Sequence, residues 1–134
     1  MVTPGDFLAF AEKAHDGAQG EFDYRNAASR AYYAAFHCCY AETSRCPTPK
    51  ETGKIGSHDL IYQQFKDLVG TGPEVFLLKS MAFVAQSMKA FRQRADYHIE
   101  MPFDASDSKQ QLSLARKVLT RWAQLTAEFP RQLP

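Results

Sequence analysis

From Pro73 to Ile99 the chain carries two apolar stripes at helical spacing. Leu78, Met81, Ala85 and Met88 run along one side and lead into Arg92 and Asp96. Phe76, Phe83, Ala90 and Tyr97 recur every seven residues along another. A helix that is apolar on two sides is buried on both, in its own bundle and against a partner. A homodimer through this helix is therefore expected. Towards its end the apolar face acquires Arg92, Asp96, Tyr97 and His98. Charges on a buried stripe are costly unless they are paired or used, so function is sought there first.

Four further helices frame this one. Thr3 caps a first helix, with Pro4 at its first position and Asp6 in its first turn, running to about His15. His15 is expected to be a solvated cap at its end. Gly17 and Gly20 break the chain, and Asp23 is expected to cap a second helix reaching about Arg45. Its alanines, among them Ala27, Ala31, Ala34 and Ala35, favour helix and allow close helix approach. Cys46 to Gly56, with two prolines and two glycines, reads as a loop. Ser57 is expected to cap a short third helix through Val69, and Gly70 to Pro73 forms the turn into the long helix, which Pro102 ends. Asp104 or Ser106 caps a last helix to about Phe129, whose Leu112, Ala115, Leu119, Trp122 and Leu125 follow three-and-four spacing. No strand alternation, internal repeat or linker is found. The expectation is an all-α, five-helix up-and-down bundle forming one domain over 1–134, with the second, fourth and last helices supplying most of the core.

Composition fits this picture. The chain has 134 residues, 45% hydrophobic and 23% charged, with 16 basic and 15 acidic residues and a formal net charge of +1. A broad nucleic-acid-coating surface is thereby disfavoured, whereas a local basic cleft is not. Cys38, Cys39 and Cys46 are odd in number and read as reduced thiols, which points to a cytoplasmic location. The opening Met-Val-Thr-Pro-Gly-Asp lacks the features of a signal peptide, and no apolar run is long enough for a membrane span. No phosphate loop, dinucleotide fingerprint or serine-hydrolase elbow occurs. A di-metal bundle, which needs Glu-x-x-His pairs on facing helices, is not expected, and no metal or cofactor is assigned.

Two polar constellations stand out. On the second helix Asn26, Arg30, Tyr33 and His37 fall within an arc of about 60°. They form either an internal hydrogen-bond network or the wall of a cleft lined by Arg30 and His37. On the fourth, Arg92 and Asp96 are spaced for an ion pair. Arg94 and His98 are spaced likewise, and a shared pocket would lower the histidine pKa. His58, at the start of the third helix, reads as structural.

Three segments together resemble the HEPN superfamily of small helical proteins, and most nearly its subgroup encoded beside minimal nucleotidyltransferases. Tyr24-Arg25-Asn26-Ala27-Ala28-Ser29-Arg30-Ala31-Tyr32-Tyr33-Ala34-Ala35-Phe36-His37 is similar to the tyrosine-pair helix of that subgroup. Ser57-His58-Asp59-Leu60-Ile61, ending at Phe65, resembles its serine–histidine segment. Arg92-Gln93-Arg94-Ala95-Asp96-Tyr97 resembles its Arg-x-x-Ala-Asp-Tyr motif. The resemblance implies a five-helix bundle that dimerises and places its motif at the dimer cleft. Many HEPN proteins are metal-independent ribonucleases acting as toxins, with a histidine four to six residues after the motif arginine. Carried over, Arg92 is that arginine and His98 lies within the spacing. The subgroup places a tyrosine where others place the histidine, and here that is Tyr97. Two chemistries are compatible. In one, His98 is the general acid/base while Arg92 stabilises the charge as an RNA 2′-hydroxyl attacks. In the other, Tyr97 is modified by a partner nucleotidyltransferase and the chain binds RNA or nucleotide without cleaving it. The implied activity is that of an endoribonuclease toxin with a nucleotidyltransferase antitoxin, and the alternative is a non-catalytic binding or docking module.

Overall fold

The computed structural model describes residues 1–47 and 56–131. It consists of five α-helices: α1 (Pro4–Asp16), α2 (Glu21–Tyr40), α3 (Ser57–Lys66), α4 (Pro73–Tyr97) and α5 (Ala105–Glu128). Among the described residues there is no strand. The all-α expectation and the helix count hold.

The helices begin and end for local reasons. Thr3 and Asp6 form a reciprocal capping box at α1, the Thr3 amide donating to the Asp6 carboxylate at 2.7 Å. Asp104 and Asp107 do the same at α5. Asp23 is not the cap of α2. Gly20 occupies that position, and the Asp23 carboxylate accepts from the Gln19 amide at 2.8 Å, from one turn inside the helix. Gly56 likewise precedes α3, with Ser57 already helical. The second helix stops at Tyr40, and the chain closes in a short 3-10 turn, Thr43–Arg45. Of the expected loop Cys46 to Gly56, residues 48–55 lie outside the described residues.

α2 is the central element, packed against α1, α4 and α5. Ala27, Ala28, Ala31, Ala34 and Ala35 are all fully buried, because only a methyl side chain lets three neighbours approach one helix closely. Leu77, Leu78, Met81, Ala85 and Met88 of α4 and Leu112, Ala115, Val118 and Leu125 of α5 complete the core, with Ile61, Tyr62 and Phe65 from α3. Cys38 and Cys39 are buried free thiols; burial pushes the Cys38 thiol up to about 12 and that of the half-buried Cys46 up to about 11.

His15 is not a solvated cap. Its Nδ1 contacts the Ser108 hydroxyl of α5, and its ring meets Tyr24 edge-on. Glu12, which stands in Glu-x-x-His spacing to it, is instead engaged by Arg116 at 3.2 Å.

The second stripe of α4 is uncovered. Phe76 is 65% exposed, Phe83 58% and Tyr97 68%. Ala90 and Ser87 between them are also exposed.

Candidate functional site

Arg92 continues the core stripe of α4 into the face of α2 and is only 8% exposed. Its guanidinium lies among three phenol rings, with Cζ 5.4 Å from the centre of Tyr32, 5.8 Å from Tyr33 and 5.5 Å from Tyr97. Nη1 donates to the Tyr97 hydroxyl at 3.4 Å, a long bond. The Asp96 carboxylate is 3.8 Å from Nη1, close enough for an ion pair and too far for a hydrogen bond. Nε is buried without a partner. A buried guanidinium with donors to spare is unusual, since each unmet donor costs about 1–3 kcal/mol.

Asp96 is held by Ser29, whose hydroxyl donates to it at 3.0 Å. The same hydroxyl sits 3.5 Å from Nη2 of Arg30. Arg30 stacks on Tyr33, its Cζ 4.8 Å from the ring, and its Nε also lacks a partner. Two arginines therefore lie beside Tyr33, linked through the Ser29–Asp96 bridge, and the two guanidinium charges outnumber the one carboxylate. Arg30 and Tyr33 come from the polar stripe read on α2, whose members are all half-buried. Asn26 shares the stripe but enters none of these contacts. His37 is drawn into an aromatic cluster, 4.9 Å from Phe7 and 5.2 Å from Phe36, and burial lowers its pKa.

The end of α4 separates the motif residues. Tyr97 faces Arg92. His98 sits at the C-cap, its Nδ1 3.4 Å from Glu100, with over half of its side chain exposed. No hydrogen bond joins it to Arg92 among the described residues. Arg94 and His98, four residues apart, do not share partners: Arg94 is turned to Asp107 at 2.9 Å and to the Pro102 carbonyl at 3.3 Å, and His98 to Glu100. Arg94 thus anchors α4 to α5.

Two functional-looking residues lie outside the expected set. Arg25 is buried and clamps the C-terminal end of α4, donating to the carbonyls of Arg94, Ala95 and His98 at 3.1, 3.0 and 3.3 Å and also to that of Met101. The Arg94 and His98 carbonyls also accept from the His98 and Met101 amides, whereas those of Ala95 and Met101 accept from Arg25 alone among the described residues; the guanidinium also places a cation at the negative helix end. The signal was present, because Arg25 shares the core-facing arc of α2 with Ser29, Tyr32 and Phe36. His58 is the other. Its Nδ1 is 2.7 Å from the Tyr32 hydroxyl, which is 2.7 Å from that of Tyr62. Its pKa is lowered by burial first, and then by the nearby Arg92 and Lys89 charges.

Among the described residues no three His, Cys, Asp or Glu side chains are grouped to hold a metal ion, and no helix is long and apolar enough to cross a membrane. No family model matches the chain, and no curated protein or solved structure matches it.

Proposed function

We propose that this chain is a HEPN-type helical module whose Arg92 cleft takes a phosphate of RNA or of a nucleotide, working beside a nucleotidyltransferase partner. The observation that carries this reading is the state of Arg92: buried, ringed by tyrosines and short of hydrogen-bond acceptors. A planar guanidinium fork matches the oxygens of a phosphate. Arg30, over the Tyr33 ring, supplies a second cation. The exposed ring of Tyr97 offers a face for base stacking. Its hydroxyl, beside Arg92, is also where a partner nucleotidyltransferase would attach a group, and any phosphate so attached would arrive at the guanidinium.

The second reading is a metal-independent endoribonuclease acting as a toxin, with the nucleotidyltransferase as antitoxin. It is favoured by the exposed α4 stripe Phe76, Phe83, Ala90 and Tyr97. Pairing of two copies along that stripe would bring the exposed His98 of each copy towards the other copy's cleft, supplying the acid/base that a single chain does not hold at Arg92. Arg92 would then stabilise charge developing on phosphorus.

One experiment separates the two. The purified chain is incubated with labelled single-stranded RNA in EDTA, with binding and cleavage both followed. Binding without cleavage, lost in Arg92→Ala, supports the module; cleavage lost in Arg92→Ala supports the ribonuclease. Binding or cleavage by Arg92→Ala at the wild-type level contradicts both.

A further inference from the structure

We infer that His58 is a second, titratable member of the Arg92 anion site, so that a phosphate bound there is held together with a proton. This rests on the phosphate cleft proposed above and adds how that cleft is regulated.

Arg92 and His58 lie against the same two adjacent tyrosines. The His58 ring stacks on Phe36 at 3.9 Å, with the centres of Tyr32 and Tyr33 at 5.8 and 6.2 Å. Tyr32 and Tyr33 are also the rings that flank the Arg92 guanidinium, at 5.4 and 5.8 Å. The imidazole is therefore fixed in orientation within the aromatic wall of the cleft.

Its proton is fixed as well. The chain His58–Tyr32–Tyr62 has a buried end, since Tyr62 is fully buried and its hydroxyl meets only that of Tyr32 among the described residues. One direction satisfies every member: Tyr62 donates to Tyr32, and Tyr32 donates to Nδ1 of His58. That leaves the imidazole neutral, with its hydrogen on Nε2. The reverse direction, forced by a proton on Nδ1, strands the Tyr62 hydroxyl hydrogen in the core.

Charges around the ring act in the same sense. Arg92 and Lys89 face it from α4 and disfavour a further positive charge, as does His37 from α2. Asp59 on α3 opposes them, but its carboxylate is engaged by Lys89 at 2.9 Å. In the empty cleft the imidazole therefore stays neutral. An anion on Arg92 cancels the largest of these opposing charges, which raises the proton affinity of the imidazole against the cost of reversing the hydrogen-bond chain. Linkage is reciprocal: a ligand that raises the proton affinity of His58 binds more tightly as His58 protonates. Affinity should accordingly rise as pH falls through the range around and below 6.5, the ordinary histidine value.

The test uses a short oligouridylate, whose phosphodiesters and bases do not titrate between about pH 5.5 and 7.5. Wild type should bind several-fold more tightly at the lower pH, with a limit of about tenfold per pH unit for one linked proton. His58→Gln should bind with little pH dependence. A pH dependence that persists in His58→Gln, or its absence in wild type, overturns the inference while leaving the phosphate cleft standing. No binding by wild type at either pH removes the cleft and the inference together. A ligand-free measurement covers a His58→Gln chain that fails to fold: followed by NMR, the His58 imidazole should titrate below its ordinary value in wild type and move upward in Arg92→Gln. An unmoved titration contradicts the coupling.

Discussion

The Tyr97 hydroxyl lies 3.4 Å from Nη1 of Arg92, while the imidazole of the next residue, His98, pairs with Glu100. Two neighbours on one helix end thus have different surroundings. Within a single chain the arginine site is built from tyrosines and Arg30.

The anion site proposed at Arg92 predicts that this residue contributes little to stability. Arg92 is a buried charge with an unmet donor, paired only loosely with the exposed Asp96, and replacing even a fully buried pair by apolar groups of similar volume is often neutral or stabilising by about 1–4 kcal/mol. The double variant Arg92→Met/Asp96→Leu should therefore melt at or above the wild-type temperature while losing RNA binding. Calorimetry and a binding assay on the same sample check both. A loss of several kcal/mol on substitution would assign the pair to the scaffold.

Arg25 should behave in the opposite way. Its guanidinium donates to four carbonyls around the end of α4, of which those of Ala95 and Met101 accept no other hydrogen bond among the described residues. Arg25→Met should destabilise the fold by about 2–4 kcal/mol in urea unfolding, since buried acceptors are left unpaired. Amide exchange should quicken first at the last turn of α4, which carries Asp96 and Tyr97.

Stability should also fall with acid. His58 and His37 both have folded-state pKa values below the ordinary 6.5. The unfolded chain then binds more protons than the native one between the folded values and 6.5, so stability is full above that window and declines as pH falls through it. Chemical unfolding at a series of pH values should show this slope, and His58→Gln should flatten part of it.

The exposed stripe of α4 makes a separate prediction. If Phe76 and Phe83 cover one another across two copies, Phe83→Glu should convert a dimer to a monomer without lowering helicity. Sedimentation velocity reads the mass directly. A wild-type chain that stays monomeric at high concentration would contradict pairing along this stripe.

The helices were legible because their periodicity is strong: the Leu78–Met81–Ala85–Met88 stripe is buried, and the Phe76–Phe83–Ala90–Tyr97 stripe is exposed in the single chain. The helix starts were less so. Asp23 and Ser57 have the chemistry of caps, yet a glycine precedes each helix, and backbone geometry took the position instead. At the site, Arg92, Asp96, Arg30 and Tyr33 were found from helical spacing and do converge. His98 was not separable from Tyr97 on that basis, because helical spacing fails where a helix ends. Arg25 and His58 were passed over for a different reason. Helical spacing puts Arg25 on the buried arc of α2, but its partners about 70 residues away, and that of His58 26 residues away, are long-range contacts that no local pattern specifies.

The most direct measurement is RNA binding by three variants at one pH: Arg92→Ala, His98→Ala and Tyr97→Phe, each with its melting temperature. Arg92→Ala should lose binding at least about tenfold, or 1.4 kcal/mol, while remaining folded, and His98→Ala should bind like wild type. Unchanged binding by folded Arg92→Ala, or a His98→Ala loss as large as that of Arg92→Ala, would contradict an anion site centred on Arg92.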